Sequence, residues 1–284
     1  MKEVILGLGG GGLIQVAHRT PTQMMSYMIE CPQGQTVMID GGNYLPDDGE
    51  NLHGMLLERG GRVSEWFITH AHIDHLGSLL YILENYDDIR IDRITMAFPT
   101  KRWLSVFEKK DYPYAVALLK VIARLGIPVY TPTEGERMAI GGIEIDVLSV
   151  PREDEYLRYT STNATSLILK VHFPGRSVLF LSDYNGESEK DYLKSRSIDA
   201  LRCDICQMAH HGQNGVSEEF YRLIKPKVCL YTAPKWLWEN NLYRCDDPET
   251  AGKGPFTTLQ TRQWMDALGV EESYAQTEGD IRFI

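Results

Sequence analysis

The sequence predicts an α/β fold, a four-layer αββα sandwich of two mixed β-sheets flanked by helices, as a single domain over 1–284. Three observations predict it. Short apolar segments alternate with amphipathic ones from end to end, the alternation forms two successive strand-rich, helix-flanked halves, and no Pro/Gly/Ser-rich linker parts them. A sheet must bury an apolar face, and two such halves do so by packing sheet on sheet with helices outside.

In chain order, 13–17, 24–30 and 36–39 read as strands separated by turns. Trp66-Phe67-Ile68 is a short buried strand, and Leu76, Leu79, Leu80 and Leu83 then fall at i, i+3, i+4 and i+7 of a helix. A strand over 91–97 precedes a helix over 113–125, with Val116, Leu119 and Ala123 inward and Gly126 as its stop. Strands at 143–150, 166–171 and 177–181 open the second half. A polar helix over 186–195 and a strand over 204–209 follow. Helix 217–223, strand 227–232, helix 256–268 and a strand around Ile281 complete it. Gly7 to Gly12 satisfies G-x-G-x-x-G, yet a strand and not a helix follows, so it reads as a turn and not as a dinucleotide site.

Hydrophobic residues make up 43% of the chain and charged residues 24%, ordinary for a protein with a sizeable core. No apolar run approaches the roughly eighteen residues of a membrane helix, and residues 1–20 lack a signal peptide's apolar block. Five cysteines without framework spacing are expected to be reduced thiols, so the expected location is the cytoplasm, with no membrane partner. A formal charge of −10 argues against a broad duplex-binding surface. It leaves a small-molecule or phosphoester substrate open, and disfavours single-stranded nucleic acid without excluding it.

His70-Ala71-His72-Ile73-Asp74-His75 places three of the eight histidines in six residues, with an aspartate among them. At an extended strand end, residues two apart point the same way, so His70 and His72 can grip one ion. Asp74 and His75 lie past the turn, at the helix start, within reach of a second. Imidazole and carboxylate suit zinc, manganese and iron. Burying such rings without a metal is costly, which sets this reading against that of a solvated turn with accidental histidines.

This run resembles the H-x-H-x-D-H mark of the metallo-β-lactamase superfamily, and the resemblance covers most of the chain. Ile39-Asp40-Gly41-Gly42 looks like that family's first motif, whose Asp supports the metal site from behind. Leu179-Phe180-Leu181-Ser182-Asp183 looks like its bridging-aspartate motif, and Met208-Ala209-His210-His211-Gly212 like its last His motif. Asn163-x-x-Ser166, Glu189, the run from Ala200 to Asp204 and Thr277-Glu278-Gly279-Asp280-Ile281 are similar to the hydrolase domain of competence-type DNA-uptake proteins and their free-standing relatives. The resemblance implies two divalent ions, zinc by default and manganese or iron as alternatives. Site one would use His70, His72 and Asp183. Site two would use Asp74, His75, Asp183 and either His210 or His211.

Three departures stand out. Asn163 replaces the family's third site-one histidine, so site one is expected to bind more weakly. Ser182 replaces a glycine, a change expected to matter little. The stretch over 238–255 has no counterpart of the subfamily's Asn-aromatic-x-His-Pro, so substrate choice does not carry over. Nearby, Lys235, Trp236, Trp238, Tyr243 and Arg244 interleave cations and rings in a loop-like stretch able to stack a ring and hold a phosphate, unless the rings pack on their own domain.

The expected function is therefore metal-dependent hydrolysis, in which two ions share a bridging hydroxide and Asp183. Asp74 orients the nucleophile, and Asp40 and Asn163 support from behind. The superfamily resemblance implies hydrolysis and the subfamily resemblance a phosphodiester or related phosphoester. The alternatives are a carbonyl substrate (lactone, thioester or β-lactam) and a non-catalytic metal-binding module. His18, His53 and His172 are isolated and Cys203-x-x-Cys206 reads as core packing, while oligomeric state is not expressed in the sequence.

Overall fold

Most strands are too short and too apolar to do anything but pack in a layer. The computed structural model describes residues 1–284. Its first half runs through β1 (Lys2–Val4), β2 (Gly12–Gln15), β3 (Tyr27–Glu30), β4 (Thr36–Ile39), helix α1 (Pro46–Leu57), β5 (Arg62–Val63), β6 (Glu65–Ile68) and helix α2 (Ile73–Asn85). Strands β7 (Arg90–Ile91) and β8 (Ile94–Met96), helices α3 (Lys101–Phe107) and α4 (Tyr112–Leu125), and β9 (Val129–Tyr130) follow. The second half begins with β10 (Arg137–Ile140), β11 (Ile143–Ser149), α5 (Glu153–Tyr156), β12 (Ile168–His172), β13 (Ser177–Phe180), α6 (Gly186–Ser195) and β14 (Ile205–Gln207). It ends with α7 (Glu218–Ile224), β15 (Val228–Tyr231), α8 (Lys235–Trp238), α9 (Thr258–Ala267), β16 (Glu272–Ala275) and β17 (Ile281–Phe283).

Two large mixed sheets result, ordered β1-β17-β2-β3-β4-β6-β8-β9 and β10-β11-β12-β13-β14-β15-β16. The last strand crosses back to the first sheet, pairing parallel to β1 and antiparallel to β2. The apolar residues fall into three layers. Tyr27, Ile39 and Phe67 of the first sheet meet Val147, Leu169 and Phe180 of the second. Helices α1, α2 and α4 cover the outer face of the first sheet, and α6 to α9 that of the second. This is the predicted αββα sandwich.

Several expectations change in detail. The buried face of α4 is Ala115, Leu118, Val121 and Ile122, not Val116, Leu119 and Ala123, because nearly every position of this helix is apolar and the period alone does not set the face. Gly126 does stop it, with φ 67°. The strand expected at 24–30 begins only at Tyr27, since the Met25 amide donates to Asp74 O across to α2. The strand expected at 91–97 divides into β7, paired with β5, and β8. Gly7, Gly9, Gly10 and Gly11 all take positive φ in the turn that leads into β2.

β4 and β6 pair parallel, as do β13 and β14. Asp40, the run 69–75, Ser182-Asp183 and His210-His211 thus all leave the carboxyl ends of parallel strands, where open α/β sheets leave a crevice.

Candidate metal centre

Each ring at this edge is oriented by a bond on its far nitrogen. Asp40, left-handed at φ 58°, accepts from the Thr69 amide and hydroxyl and lies 2.7 Å from His75 Nδ1, so His75 turns Nε2 inward. His70 Nδ1 lies 3.3 Å from Thr69 Oγ1 and 3.2 Å from Ser182 Oγ. Its Nε2 approaches His72 Nδ1 at 3.2 Å. His72 places Nε2 3.2 Å from Glu108 Oε2, leaving Nδ1 inward. His211 is fixed through Nδ1, 3.1 Å from the Thr232 carbonyl and 2.9 Å from its hydroxyl. Such partners fix tautomer and direction in metal sites.

The inward atoms converge on Asp183. His75 Nε2 lies 3.3 Å from its Oδ1, while His211, His210 and His70 Nε2 lie 3.5, 3.7 and 3.9 Å from its Oδ2. His211 Nε2 is also 3.3 Å from Asp74 Oδ2. Three sets of donors cluster within 4.8 Å, one of His70, His75 and Asp183, one of Asp74, His75 and His211, and beside them one of His72, Glu108 and Asp111. Among these atoms His75 Nε2, His211 Nε2, Asp183 Oδ1 and the nearby Asn163 Oδ1 are buried without a hydrogen-bond partner. Each unpaired buried group costs about 1–3 kcal/mol. Atoms close together yet misaligned for hydrogen bonds fit donors aimed at a common ion, so the residues fit divalent metal.

The electrostatics agree. Burial opposes charge on His75 and His211, but Asp183 and Asp40 hold His75 well above its ordinary range, and Asp183 with Asp74 holds His211 at about 9. Burial, reinforced by His75, holds His70 below its ordinary range. Burial raises the carboxylates Asp74 and Asp183, but the surrounding imidazoles win and hold both ionised.

Ser182, expected to matter little, is left-handed at φ 52° and bonds the Thr69 hydroxyl at 2.6 Å, joining the strand ends of the two sheets. A glycine would adopt that φ freely but bring no hydroxyl. Sequence reading discounted Ser182 and did not single out Thr69, Glu108 or Thr232. Glu108 reaches His72 from the end of α3, and no spacing signal ties it to the histidine run.

The aromatic stretch divides. Trp236 and Arg244 line a groove of about 480 Å³ with Pro21, Gln23, Asn43, Ile73 and Asp74. The Arg244 guanidinium sits 5.6 Å from the Trp236 ring and 5.5 Å from that of Phe256, held by ring faces and by no carboxylate. Lys235 instead pairs with Glu239 along α8, and Trp238 packs on Tyr231 and under Arg262, away from the groove. Tyr243 is exposed. The stretch is thus partly helical, and of its rings only Trp238 packs on its own sheet. Isolated His53 and His172 pair with Asp88 and Asp146, away from this edge.

The model of the Metallo-beta-lactamase superfamily matches residues 19–231. Among solved structures, the metallo-beta-lactamase fold protein YhfI from Bacillus subtilis aligns with TM-score 0.52 at 10% identity, covering 96% of this chain and 99% of that one. CmlA, a diiron β-hydroxylase from Streptomyces venezuelae, aligns with TM-score 0.56 at 18% identity, over 96% of this chain and 53% of its own. At these identities the likeness is one of fold. Comparison with curated protein sequences returns no match.

Proposed function

The chain belongs to the metallo-β-lactamase superfamily, and on that premise we propose that it is a dinuclear metallohydrolase acting on a phosphodiester or related phosphoester. The observation that carries the substrate class is Arg244. An uncompensated guanidinium stands on the wall of the groove that has Asp74 among its lining residues. A planar fork of donors matches a phosphoryl group bidentately. A neutral lactone or thioester offers it no charge. The resemblance of the Asn163-to-Asp183 and Thr277-to-Ile281 segments to competence-type hydrolase domains supports the same class.

His70, His72, Asp74, His75, Asp183 and His211 would hold the ions. Two divalent ions, when bound there, would acidify water and offset charge growing on the attacked centre. The chain's own residues supply the rest. Asp74, which accepts from Gln23 Nε2 at 3.2 Å, orients the attacking water through a carboxylate oxygen at the groove. Arg244 holds a non-bridging oxygen, and the buried Trp236, whose Nε1 donates to Pro21 O, supports the wall from which Arg244 reaches. The nitrogen-rich donor set favours zinc over harder ions. Five unpaired cysteines, four of them buried, favour a reducing compartment such as the cytoplasm. No helix is long and apolar enough to cross a membrane.

The test is a panel of bis-aryl phosphodiesters, lactones and thioesters assayed on metal-loaded protein, with Arg244→Ala alongside. The expected outcome is phosphodiester turnover and, in the variant, a KM raised about tenfold or more, the loss of a charged hydrogen bond. Turnover of lactones or thioesters without phosphodiesters overturns the substrate class. Failure to retain any divalent ion overturns the metallohydrolase reading as a whole.

A further inference from the structure

The two adjacent histidines of the last His motif serve different ions. Resting on the two-metal reading above, we infer that His210 is the third nitrogen ligand of the first metal site, in the place that Asn163 leaves open, while His211 belongs to the second.

Neighbouring side chains on extended backbone point to opposite faces, and only one could then reach Asp183. Here His210 and His211 are both left-handed, at φ 51° and 58°, a conformation that non-glycine residues adopt rarely and seldom in succession. The turn is pinned by the His210 amide, which donates to Ser182 O at 2.8 Å, one residue before Asp183. Its result is that both Nε2 atoms lie within 3.7 Å of the same carboxylate oxygen.

They reach it from different flanks. His211 Nε2 is also 3.3 Å from Asp74, the flank of the second site. His210 Nε2 is instead 3.4 Å from Asn163 Nδ2, where a third histidine would stand if residue 163 were one. His210 Nδ1 lies 3.5 Å from the Asn214 carbonyl on the ring's outer side, and Nε2 is turned toward Asp183 and Asn163. His70 Nε2 lies 3.9 Å from the same Asp183 oxygen that His210 approaches at 3.7 Å. Tetrahedral ligands at about 2.0–2.1 Å from zinc stand about 3.4 Å apart, so each of these two nitrogens is within about half an ångström of the spacing from Asp183 that a shared ion would set. His70 Nε2, His72 Nδ1, His210 Nε2 and Asp183 then make three nitrogens and one oxygen. Site one is not short of a ligand, and the weakness expected from Asn163 disappears.

The test is metal content and affinity, read by elemental analysis and by competition with a chromophoric chelator for Zn²⁺, on the full chain. The variant is His210→Gly, because glycine takes this φ without strain and keeps the turn. The parent is expected to hold two ions and His210→Gly one, the affinity of the other falling by about 100-fold or more, beyond the usual loss for residues that only support a ligand. Adding Asn163→His to His210→Gly brings back a ring on the same flank and restores the second ion. With Co²⁺ loaded, the visible absorption of the site-one ion is lost in the single variant and regained in the double. A His210→Gly protein that holds two ions at parental affinity overturns the assignment and leaves the two-metal reading standing. A parent that holds fewer than two ions overturns both.

Discussion

At the scale of single residues, the centre is a set of imidazoles whose outer nitrogens are spoken for. His70, His72, His75 and His211 each give one nitrogen to Ser182 and Thr69, Glu108, Asp40 or Thr232, and direct the other inward. This has a consequence in pH. Without metal, burial opposes the charge on His211, but Asp183 and Asp74 raise it from 6.5 to about 9. A raised histidine contributes stability that is fully present below its unfolded value and is lost as pH rises through its folded one. The metal-free protein therefore loses that contribution between about 6.5 and 9. A ligand must also be neutral, so an incoming ion displaces the proton. Zn²⁺ affinity is expected to climb from about pH 6 to about pH 9, with proton release measurable by calorimetry in buffers of different ionisation enthalpy. Flat affinity and no release over that range would mean that His211 carries no proton in the metal-free state.

At the scale of elements, close backbone approach positions these residues. Helix α2 presses its first turn onto the loop after β4, where Gly77 N and Ser78 N both donate to Gly42 O. A Cβ on Gly77 would stand 2.1 Å from Tyr44 N and 2.4 Å from Asn43 C. Gly77→Ala must therefore push α2 outward, at a cost of about 1–3 kcal/mol, and on the metal-site reading it should loosen the ion that Asp74 and His75 would hold. Chemical denaturation and metal titration measure the two effects, and a variant with parental values of both would show that this contact does not set the helix. The strand-to-helix run of H-x-H-x-D-H is legible in sequence because an apolar strand, polar ligands and an i, i+3, i+4 apolar face follow one another directly. Helix α1 is not. Its Pro46-Asp47-Asp48-Gly49-Glu50 start carries a proline, a glycine and no apolar period, and Gly49 stands where the Tyr81 ring of α2 leaves no room for a Cβ, 2.2 Å away.

At the scale of the whole molecule, the ions would tie one sheet to the other. His70 to His75 follow β6 of the first sheet, Asp183 and His211 follow β13 and β14 of the second, and the Thr69–Ser182 hydroxyl contact and the Leu167 amide to Thr69 O cross the same gap. Anything bound to the folded state alone stabilises it, by about 4 kcal/mol at a thousand times its Kd. Removing metal with a chelator is expected to lower Tm by several degrees and re-addition to restore it, read by calorimetry. An unchanged Tm would mean that no ion links the sheets. By itself the sequence determined the αββα layering, the H-x-H-x-D-H run and the carboxylates and histidines at apolar strand ends, because those depend on local period and on residues adjacent in the chain. Only the tertiary structure decided which of His210 and His211 faces which flank, that Ser182 and Glu108 contact the outer nitrogens of His70 and His72, that β17 returns to the first sheet, and that Arg244 but not Lys235 or Trp238 reaches the groove. These depend on the left-handed turns at 182 and 210–211 and on segments far apart in sequence meeting at one edge, and neither leaves a period or a spacing in the chain.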